Sequence, residues 1–600
     1  MRLYVPITLT ATGGLLALAL LLCLVMLRVL IGPFSLGQSQ GPAVQRAPRI
    51  ALFEPASLRA APEPERLRRR EQWRALLPRE SGAPVVDALP DPAQGGLDAV
   101  IVSDARWMDD DEVARLRDYV AAGGAALLAG WVGVRAGEDW AAGAERMAGL
   151  LGVEAVARLP RDASLFAAAG ARGPVSAGLL PGEKAGLAPD AAVPGIAWPE
   201  AELFWSSFSL APAAAAAGAE RHRELGAGRL VWLGPTPEAA SATHPAQVWM
   251  AAVVERALAW ATRRPSSEIR AWPGGAPFAG LLAMDSEHDF ENAGGVAEAA
   301  AREGFPVTFL VLAEVAEQFP EVLARLAEVG EVGSHADVHQ GFEGVAPEEQ
   351  QRRLERSRDF LRARGVTPVS FRPPYESYDE GTLRAARGAG FRALLGDLSR
   401  ASMVPRRVEP DGPGSPLVQI PRPVRDDYDL FVRESIASGA GLEQAMRADL
   451  AHVSRAGGLY YFSFHTQFFS DPERVAALAR VERSMRESAA WRATAGEIAD
   501  WWLRRDACRV TVELVGPQRI RAQVSNEGDQ EVSGLVVRIH ANVALRAVRV
   551  SGTRLFQSPA RAELASGQSH LDLVLPPLAA RRSEAFDLDV DALPGPDRAR

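Results

Sequence analysis

The sequence predicts a multidomain α/β protein with four parts: an N-terminal transmembrane helix, a parallel α/β domain, a seven-stranded β/α barrel and a C-terminal β-sandwich. Three observations lead to this prediction. The chain has 600 residues, which is more than one hydrophobic core usually serves. Short apolar runs alternate with amphipathic helical patterns from residue 49 to residue 505, as is typical of parallel sheets. Residues 506–600 change to short alternating strands separated by turns.

The composition is that of a folded globular protein and excludes several functions. Hydrophobic residues make up 47% of the chain, charged residues make up 24%, and the formal net charge is −9. A nucleic-acid-binding protein would need a basic face, so we expect no nucleic-acid partner. The two cysteines, Cys23 and Cys508, allow neither a disulfide framework nor a cysteine metal site. Any bound metal must therefore be held by histidine and carboxylate side chains.

Residues 1–34 are interpreted as a membrane anchor. No charged residue occurs from Leu3 to Leu27, and a helix of that length exceeds the roughly 30 Å hydrocarbon core of a bilayer. A cleavable signal peptide is the alternative, but the apolar stretch is long and no clear small-x-small cleavage site follows it. Basic residues flank both ends, so the charge pattern does not fix the orientation. We place the bulk of the chain outside the cytoplasm on functional grounds alone.

Residues 35–48, SLGQSQGPAVQRAP, are polar and punctuated by Gly and Pro, which suits a linker. Residues 49–264 are predicted to form the parallel α/β domain, with strands in RIALFEPA, LDAVIVSD, AALLAGW and GRLVWLGPTPE. The pattern DAVIV…YVAAGGAALLAG resembles the class I glutamine-amidotransferase-like fold. That family's catalysis depends on a cysteine at a strand-to-helix turn, and this region has no cysteine. We therefore expect a binding or scaffolding role, in which envelope proteins could be partners.

Residues 266–505 carry seven strand patterns separated by helical patterns: GLLAMD, PVTFLVL, EVGSH, PVSFRPP, RALLGD, LVQIP and YYFSFH. One intervening helix has Pro347 near its start and Gly365 at its end. Seven strands with intervening helices predict a β/α barrel, whose site residues usually follow the carboxyl ends of the strands. Residues 506–600 contain CRVTVELVG, RIRAQVSN, LVVRIHA, LRAVRVSG and LDLVLPPL, which favour a small β-sandwich.

Two histidines four residues apart, His335 and His339, follow the strand pattern EVGS. Such a pair is by itself a weak signal for a metal site. A second strand pattern ends in carboxylates, and Asp285, Glu287 and Asp289 share one face if the extended geometry continues. Acids in this place are costly to bury unless they are paired or bind metal. Capping of the following helix is the alternative, and we favour it for Asp289.

Three further polar residues stand at strand ends of the same region. Arg372 precedes the Pro373-Pro374 pair, which fixes the backbone direction before Tyr375. A rigid turn is useful if a nearby N–H must point at a developing oxyanion. Asp397 ends the run RALLGD, and His465 ends the apolar strand LYYFSFH. Burial would lower the pKa of that imidazole, whereas a neighbouring carboxylate would raise it.

Together these motifs resemble the polysaccharide deacetylases, which are NodB-like carbohydrate esterases. The resemblance covers Trp272–Arg505 and rests on an acidic strand end, Ser-His-x-x-x-His, Arg-Pro-Pro-Tyr and a late strand that ends in His, in that family's order. It implies a metal-dependent enzyme that removes N-acetyl groups from a glycan polymer outside the cytoplasm. Zn²⁺ is the divalent metal that suits two imidazoles and one carboxylate.

The resemblance implies a role for each motif residue. Glu287, His335 and His339 would hold the metal. Asp285 would act as the general base that takes a proton from the attacking water, and His465 would act as the general acid that protonates the departing amine.

Three supporting roles follow in the same way. Arg372 would hold Asp285 by an ion pair. The backbone N–H of Tyr375 would help to stabilise the oxyanion, and Asp397 would keep His465 protonated.

The sequence departs from the family's pattern at two places. The run MDSE stands where two adjacent aspartates are common, so His288 or Asp289 are alternatives to Glu287 as the third ligand. The tryptophan that often follows the family's fourth-motif aspartate is absent from GDLSRA, which leaves the role of Asp397 open.

Two other functions compete with polysaccharide deacetylation. The altered first motif allows a catalytically degenerate module that binds glycan within an envelope assembly. Related barrels also hydrolyse carbon–nitrogen bonds of small amides, although such an enzyme would need no membrane anchor.

Overall fold

The computed structural model describes residues 48–592 apart from 79–81, 135–138, 161–165, 171–172, 189–191, 207–216, 242, 397–400, 413, 552–559 and 565–567. The predicted anchor, residues 1–34, and nearly all of the predicted linker lie outside the described residues. Among the helices that are described, none combines the length and the apolar character needed to cross a membrane.

The N-terminal region is an α/β domain. Its helices are α1 (Glu63–Ala75), α2 (Asp110–Ala121), α3 (Trp140–Leu151), α4 (Pro237–Ala240) and α5 (His244–Ala261). Its strands are β1 (Ile50–Phe53), β2 (Val85–Val86), β3 (Ala99–Val102), β4 (Ala125–Ala129), β5 (Val156–Leu159), β6 (Phe166–Ala169), β7 (Lys184–Gly186), β8 (Val193–Ile196), β9 (Leu203–Ser206), β10 (Glu220–Leu225) and β11 (Gly228–Leu233).

The main sheet of this domain has the order β10-β11-β4-β3-β1-β2. All four predicted strands lie in it and pair in parallel, and β10 adds an antiparallel edge. Helix α2 begins at a capping box between Asp109 and Glu112 and stops before Gly123, whose φ of +113° favours glycine. The resemblance to the amidotransferase-like fold remains a prediction.

The central region is built on a second sheet. Its strands are β12 (Ser266–Ile269), β13 (Ala279–Ser286), β14 (Thr308–Val311), β15 (Glu331–Ser334), β16 (Ser370–Phe371), β17 (Ala393–Leu395), β18 (Arg406–Val408), β19 (Leu417–Ile420), β20 (Leu459–His465) and β21 (Trp491–Arg492); of these, β12 pairs elsewhere. Its helices are α6 (Ala293–Glu303), α7 (Ala313–Ala316), α8 (Pro320–Val329), α9 (Pro347–Arg362), α10 (Glu380–Gly388), α11 (Gly439–Ala456), α12 (Pro472–Glu487) and α13 (Ala495–Arg505).

All seven predicted strands of this region form one sheet in the order β19-β17-β16-β15-β14-β13-β20, and they pair in parallel. The sheet is curled, as one hydrophobic cluster with members from strands across its whole width shows. These members include Leu281, Leu310, Leu395, Ile420 and Tyr461. Among the described strands β19 does not pair with β20, so the curled sheet is open between these two strands. The outer edge of β19 is occupied by the antiparallel strand β18 instead.

The C-terminal region holds two four-stranded antiparallel sheets that share a hydrophobic core. Its strands are β22 (Cys508–Gly516), β23 (Arg519–Asn526), β24 (Val536–His540), β25 (Leu545–Ser551), β26 (Arg561–Glu563), β27 (His570–Val574) and β28 (Arg582–Ala592). One sheet has the order β22-β23-β28-β25, and the other has the order β12-β24-β27-β26.

Strand β12 corrects the predicted domain boundary. Residues 266–269 were assigned to the barrel, but they pair antiparallel with β24, from Ser266 opposite His540 to Ile269 opposite Val537. This pairing extends the C-terminal sheet by one strand and ties it covalently to the start of the central region. A four-residue strand carries too little pattern to show which sheet it joins.

Candidate active site

The polar residues of the site meet because their strands are parallel and neighbouring. Asp285 and His465 are register partners at the carboxyl ends of β13 and β20. His335 follows β15, and Arg372 follows β16, whose Phe371 pairs with Ser334. Parallel strands bring their carboxyl ends to the same edge of a sheet, so residues up to 180 positions apart in sequence lie together.

Three side chains at this edge could hold a metal ion. The candidate ligand atoms of Glu287, His335 and His339 lie within 4.8 Å of one another. Oε2 of Glu287 is 2.6 Å from Nε2 of His339 and 3.5 Å from Nε2 of His335. This oxygen is buried but takes part in no hydrogen bond with good geometry. A buried carboxylate oxygen and two imidazole nitrogens that converge without hydrogen-bonding suit the first coordination shell of a divalent cation.

The second ring nitrogen of His335 is fixed by the backbone. Its Nδ1 lies 2.9 Å from the carbonyl oxygen of Arg372. A carbonyl only accepts, so Nδ1 carries the hydrogen and Nε2 keeps a free lone pair for a metal. Burial raises the pKa of Glu287, but in the metal-free protein the hydrogen bonds and positive charge of protonated His335 and His339 outweigh burial and hold this pKa below its usual range. The carboxylate is therefore charged, as a metal ligand must be.

Asp285 is held by a buried ion pair. The side chain is only 2% exposed, and its Oδ2 lies 2.7 Å from Nε of Arg372. The guanidinium also donates to the hydroxyl of Tyr461 at 2.5 Å and to Oε1 of Glu376 at 3.1 Å. The other oxygen of Asp285, Oδ1, is buried and has no hydrogen-bond partner within the described ranges. One oxygen is thus anchored while the other is left to act on a ligand.

His465 faces this base from the neighbouring strand. Its Nε2 lies 3.6 Å from Oδ2 of Asp285, and its Nδ1 lies 2.7 Å from Oδ1 of Asp427. The fully buried Asp427 also accepts from the backbone N–H of His465 at 2.6 Å. Burial lowers the pKa of His465, but Asp427 outweighs burial and raises it to about 9. The imidazole is therefore protonated at neutral pH, with Nε2–H directed toward the site.

Asp427 and its neighbours are the residues that the sequence analysis missed. The segment VRDDYD places Asp426 and Asp427 after strand β19, and acids after a buried strand are the signal that identified Asp285. Asp426 forms an ion pair with Arg422 at 3.3 Å, and Arg422 donates a hydrogen bond to Glu376 at 3.1 Å. The predicted partner of His465, Asp397, lies outside the described residues.

The turn after Arg372 is strained. Tyr375 and Glu376 follow the proline pair with φ values of +60° and +51°, a conformation that costs non-glycine residues about 1–2 kcal/mol each. The Tyr375 ring is 74% exposed and its centroid lies 4.5 Å from that of His339. Its backbone N–H donates to no group among the described residues, so it is available to a ligand.

The two alternative ligands do not join the cluster. His288 and Asp289 are both exposed, whereas Glu287 is 5% exposed. The backbone turns at Asp289, which has a φ of +48°, so the extended geometry that would place it beside Glu287 stops one residue earlier.

Comparison with known proteins finds polysaccharide deacetylases similar to part of the central region. Residues 291–394 match the polysaccharide deacetylase family model. A peptidoglycan-N-acetylglucosamine deacetylase of Bacillus cereus is 30% identical over 112 residues, which are 18% of this chain and 41% of that protein. The chain thus spans less than half the length of this relative.

Two solved structures illustrate the range of similar proteins. One, described as a probable polysaccharide deacetylase from Pseudomonas aeruginosa, is 19% identical, with a TM-score of 0.34 over 39% of this chain and 93% of the other. The second is a pseudoenzyme of carbohydrate esterase family 4 from Bacillus anthracis, 14% identical, with a TM-score of 0.27 over 37% of this chain and 65% of the other.

Residues 291–394 of the central region are therefore similar to polysaccharide deacetylases, which agrees with the resemblance that the sequence motifs predicted. The family consists of carbohydrate esterases that act on the carbon–nitrogen bond of N-acetyl groups.

The ligand cluster gives a prediction about metal content. We expect His335→Ala to lower the affinity for Zn²⁺ at least about tenfold, because it removes a buried nitrogen donor, whereas Asp285→Asn keeps the metal. Metal per chain is measured by plasma mass spectrometry after dialysis against buffered Zn²⁺. The matched control is His288→Ala, which removes an exposed imidazole next to Glu287 in the loop after β13. Equal metal loss in His288→Ala and His335→Ala would contradict the assignment.

Proposed function

We propose that this chain is a metal-dependent deacetylase that removes N-acetyl groups from an extracytoplasmic polysaccharide, such as an exopolysaccharide or a cell-wall glycan. One observation carries the proposal. A three-residue cation site adjoins a buried carboxylate with one partnerless oxygen, Oδ1 of Asp285, and a protonated imidazole, His465. Amide hydrolysis needs a base for the water, an acid for the amine and a positive charge near the carbonyl oxygen.

The proposed reaction divides these tasks among the residues. Glu287, His335 and His339 would hold the divalent cation, most suitably Zn²⁺, which supplies Lewis-acid polarisation when it is bound. Asp285 takes a proton from the attacking water through Oδ1, while Arg372 keeps its other oxygen in place.

Two further groups complete the reaction. Nε2–H of His465 donates a proton to the departing amine, and Asp427 holds the ring in the orientation that this transfer requires. The N–H of Tyr375 is the donor for the oxyanion, because it has no other partner among the described residues. Asp397 remains a second candidate to orient His465.

The proposed location rests on the sequence of residues 1–34. A single N-terminal helix would anchor the chain and leave the domains outside the cytoplasm, where envelope glycans are found. We expect the full chain to sediment with membranes. We also expect protease added to spheroplasts, whose cell wall has been removed, to digest it. A cytoplasmic control protein must stay intact in the same sample. Protection of the chain from added protease would overturn this topology.

Activity provides the direct test of the proposed roles. We expect His465→Ala to lower kcat for acetate release from N-acetylglucosamine oligomers by about 10²–10⁴-fold with little change in KM, because it removes the acid but no ligand. Asp285→Asn should abolish acetate release while metal is retained. Wild-type protein that binds metal and glycan but releases no acetate would favour the degenerate binding module.

The pH dependence of the rate tests the contact between His465 and Asp427. The acid must be protonated, so kcat/KM should fall as pH rises through about 9 in the wild type. Asp427→Asn removes the negative charge and leaves burial, which lowers the pKa of His465 and moves this alkaline limb to lower pH. The control is Asp289→Asn, which removes an exposed acid from the loop after β13. Identical alkaline limbs in wild type and Asp427→Asn would rule out this contact as the cause.

A further inference from the structure

The N-terminal domain contains a cavity at the carboxyl ends of its parallel strands. Its volume is about 290 Å³, and its walls come from the segments that follow β3, β4 and β11 and from helix α1. In open α/β sheets, ligands bind in crevices at this edge, because the loops there converge while the strands fix their positions. The cavity lies in a different domain from the candidate deacetylase site, so its chemistry needs a separate account.

A buried hydroxyl in the cavity wall has no hydrogen-bond partner among the described residues. Ser103 follows β3, is 5% exposed and lines the cavity. Its backbone is fully bonded: its N–H donates to the carbonyl of Phe53 at 3.0 Å, and its carbonyl accepts from Nε1 of Trp73 at 3.0 Å. Its Oγ makes no hydrogen bond to any residue that the structure describes. Buried hydroxyls are rarely left unsatisfied in native proteins, so a rigidly held Oγ of this kind points to a polar ligand.

The charged groups of the cavity neutralise one another. Three arginines and three acids line the cavity, and each of them takes part in an ion pair. Arg69 contacts Asp104 at 3.0 Å, Glu238 at 3.1 Å and Glu65 at 3.2 Å. Arg106 contacts Asp104 at 3.1 Å, and Arg68 contacts Glu238 at 3.1 Å. A charged ligand would have to break one of these pairs and leave a charge without a partner. The lining therefore favours a neutral ligand that can both donate to carboxylates and accept from guanidinium groups.

Two tryptophans supply apolar surface beside these polar groups. Trp131 and Trp205 line the cavity, and their indole N–H groups donate to the carbonyls of Ala192 at 3.0 Å and Pro194 at 2.8 Å. Because the polar atom of each ring is already bonded, what the rings offer a ligand is hydrocarbon surface. Apolar ring surface beside fixed donors and acceptors suits a molecule with one C–H-rich face and hydroxyl groups around its edge.

We propose that this cavity binds a neutral sugar residue, with Ser103 hydrogen-bonded to one of its hydroxyl groups. A sugar ring has a C–H face for the tryptophans, and its hydroxyls both donate and accept. The volume is at the small end of the range for ligand sites, so the site holds one residue of a chain rather than a long segment. Should the proposed deacetylase function also hold, this site would retain the polymer beside the catalytic domain, but the inference does not depend on it.

The decisive variant is Ser103→Ala. Because Oγ has no partner in the described part of the chain, its removal should leave thermal stability unchanged or slightly raised, while the affinity for sugar falls about threefold to tenfold. The matched control is Ser266→Ala, which removes another buried, unpartnered hydroxyl that does not line this cavity. A structural role for Ser103 would lower stability and would not change sugar binding selectively.

The probes are neutral tetrasaccharides without acetyl groups, namely glucan, mannan and galactan tetramers, titrated into the full chain by calorimetry. Saturable binding of at least one tetramer, weakened by Ser103→Ala and by Glu238→Gln but not by Ser266→Ala, supports the proposal. It is overturned if no tetramer saturates the wild type, if Ser103→Ala binds equally well, or if an oligogalacturonate binds more tightly than every neutral probe. Acetate release on the same proteins is scored separately, so failure of the deacetylase function would be seen as a different result.

Discussion

The buried ion pair between Asp285 and Arg372 is the interaction around which the candidate active site is organised. A carboxylate at the end of a fully buried strand is costly unless it is paired, and the guanidinium at 2.7 Å supplies that pairing on one oxygen only. Burial lowers the pKa of Arg372, but Asp285 outweighs burial and raises it. The cation is thus permanent, and the oxygen that it anchors, Oδ2 of Asp285, lies 3.6 Å from Nε2 of His465.

This pair extends into a network that reaches the opposite side of the site. Glu376 accepts from Arg372 and from Arg422, and Arg422 continues to Asp426, next to the Asp427 that holds His465. The anchor of the proposed base and the anchor of the proposed acid therefore belong to one connected set of charges. Such a set fixes both groups with respect to each other, and the strained turn at Tyr375 and Glu376 is stabilised by the same contacts.

The three regions of the chain are joined by specific contacts as well as by sequence. Strand β12 leaves the N-terminal domain and completes the C-terminal sheet before the chain enters the central one. Asn542 donates to the carbonyl of Arg264 at 2.6 Å, and its own carbonyl accepts from Arg229 at 2.7 Å. Trp272 is fully buried against Trp491 and Trp502 in the cluster shared with the C-terminal strands. A glycan-binding cavity in one domain would thus keep a fixed relation to the central domain.

Local pattern was enough to predict the strands and the motif residues. Apolar runs gave the seven parallel strands, and polar residues at their ends gave Asp285, His335, Arg372 and His465, because strand periodicity and turn chemistry are properties of neighbouring residues. Only the tertiary structure decided which groups meet. It selected Glu287 over His288 and Asp289, showed Asp427 beside His465, assigned β12 to the C-terminal sheet and left the central sheet open. These outcomes depend on strand order and register, which bring together residues that are far apart in the sequence. Neither strand order nor register produces a periodic pattern in the local sequence.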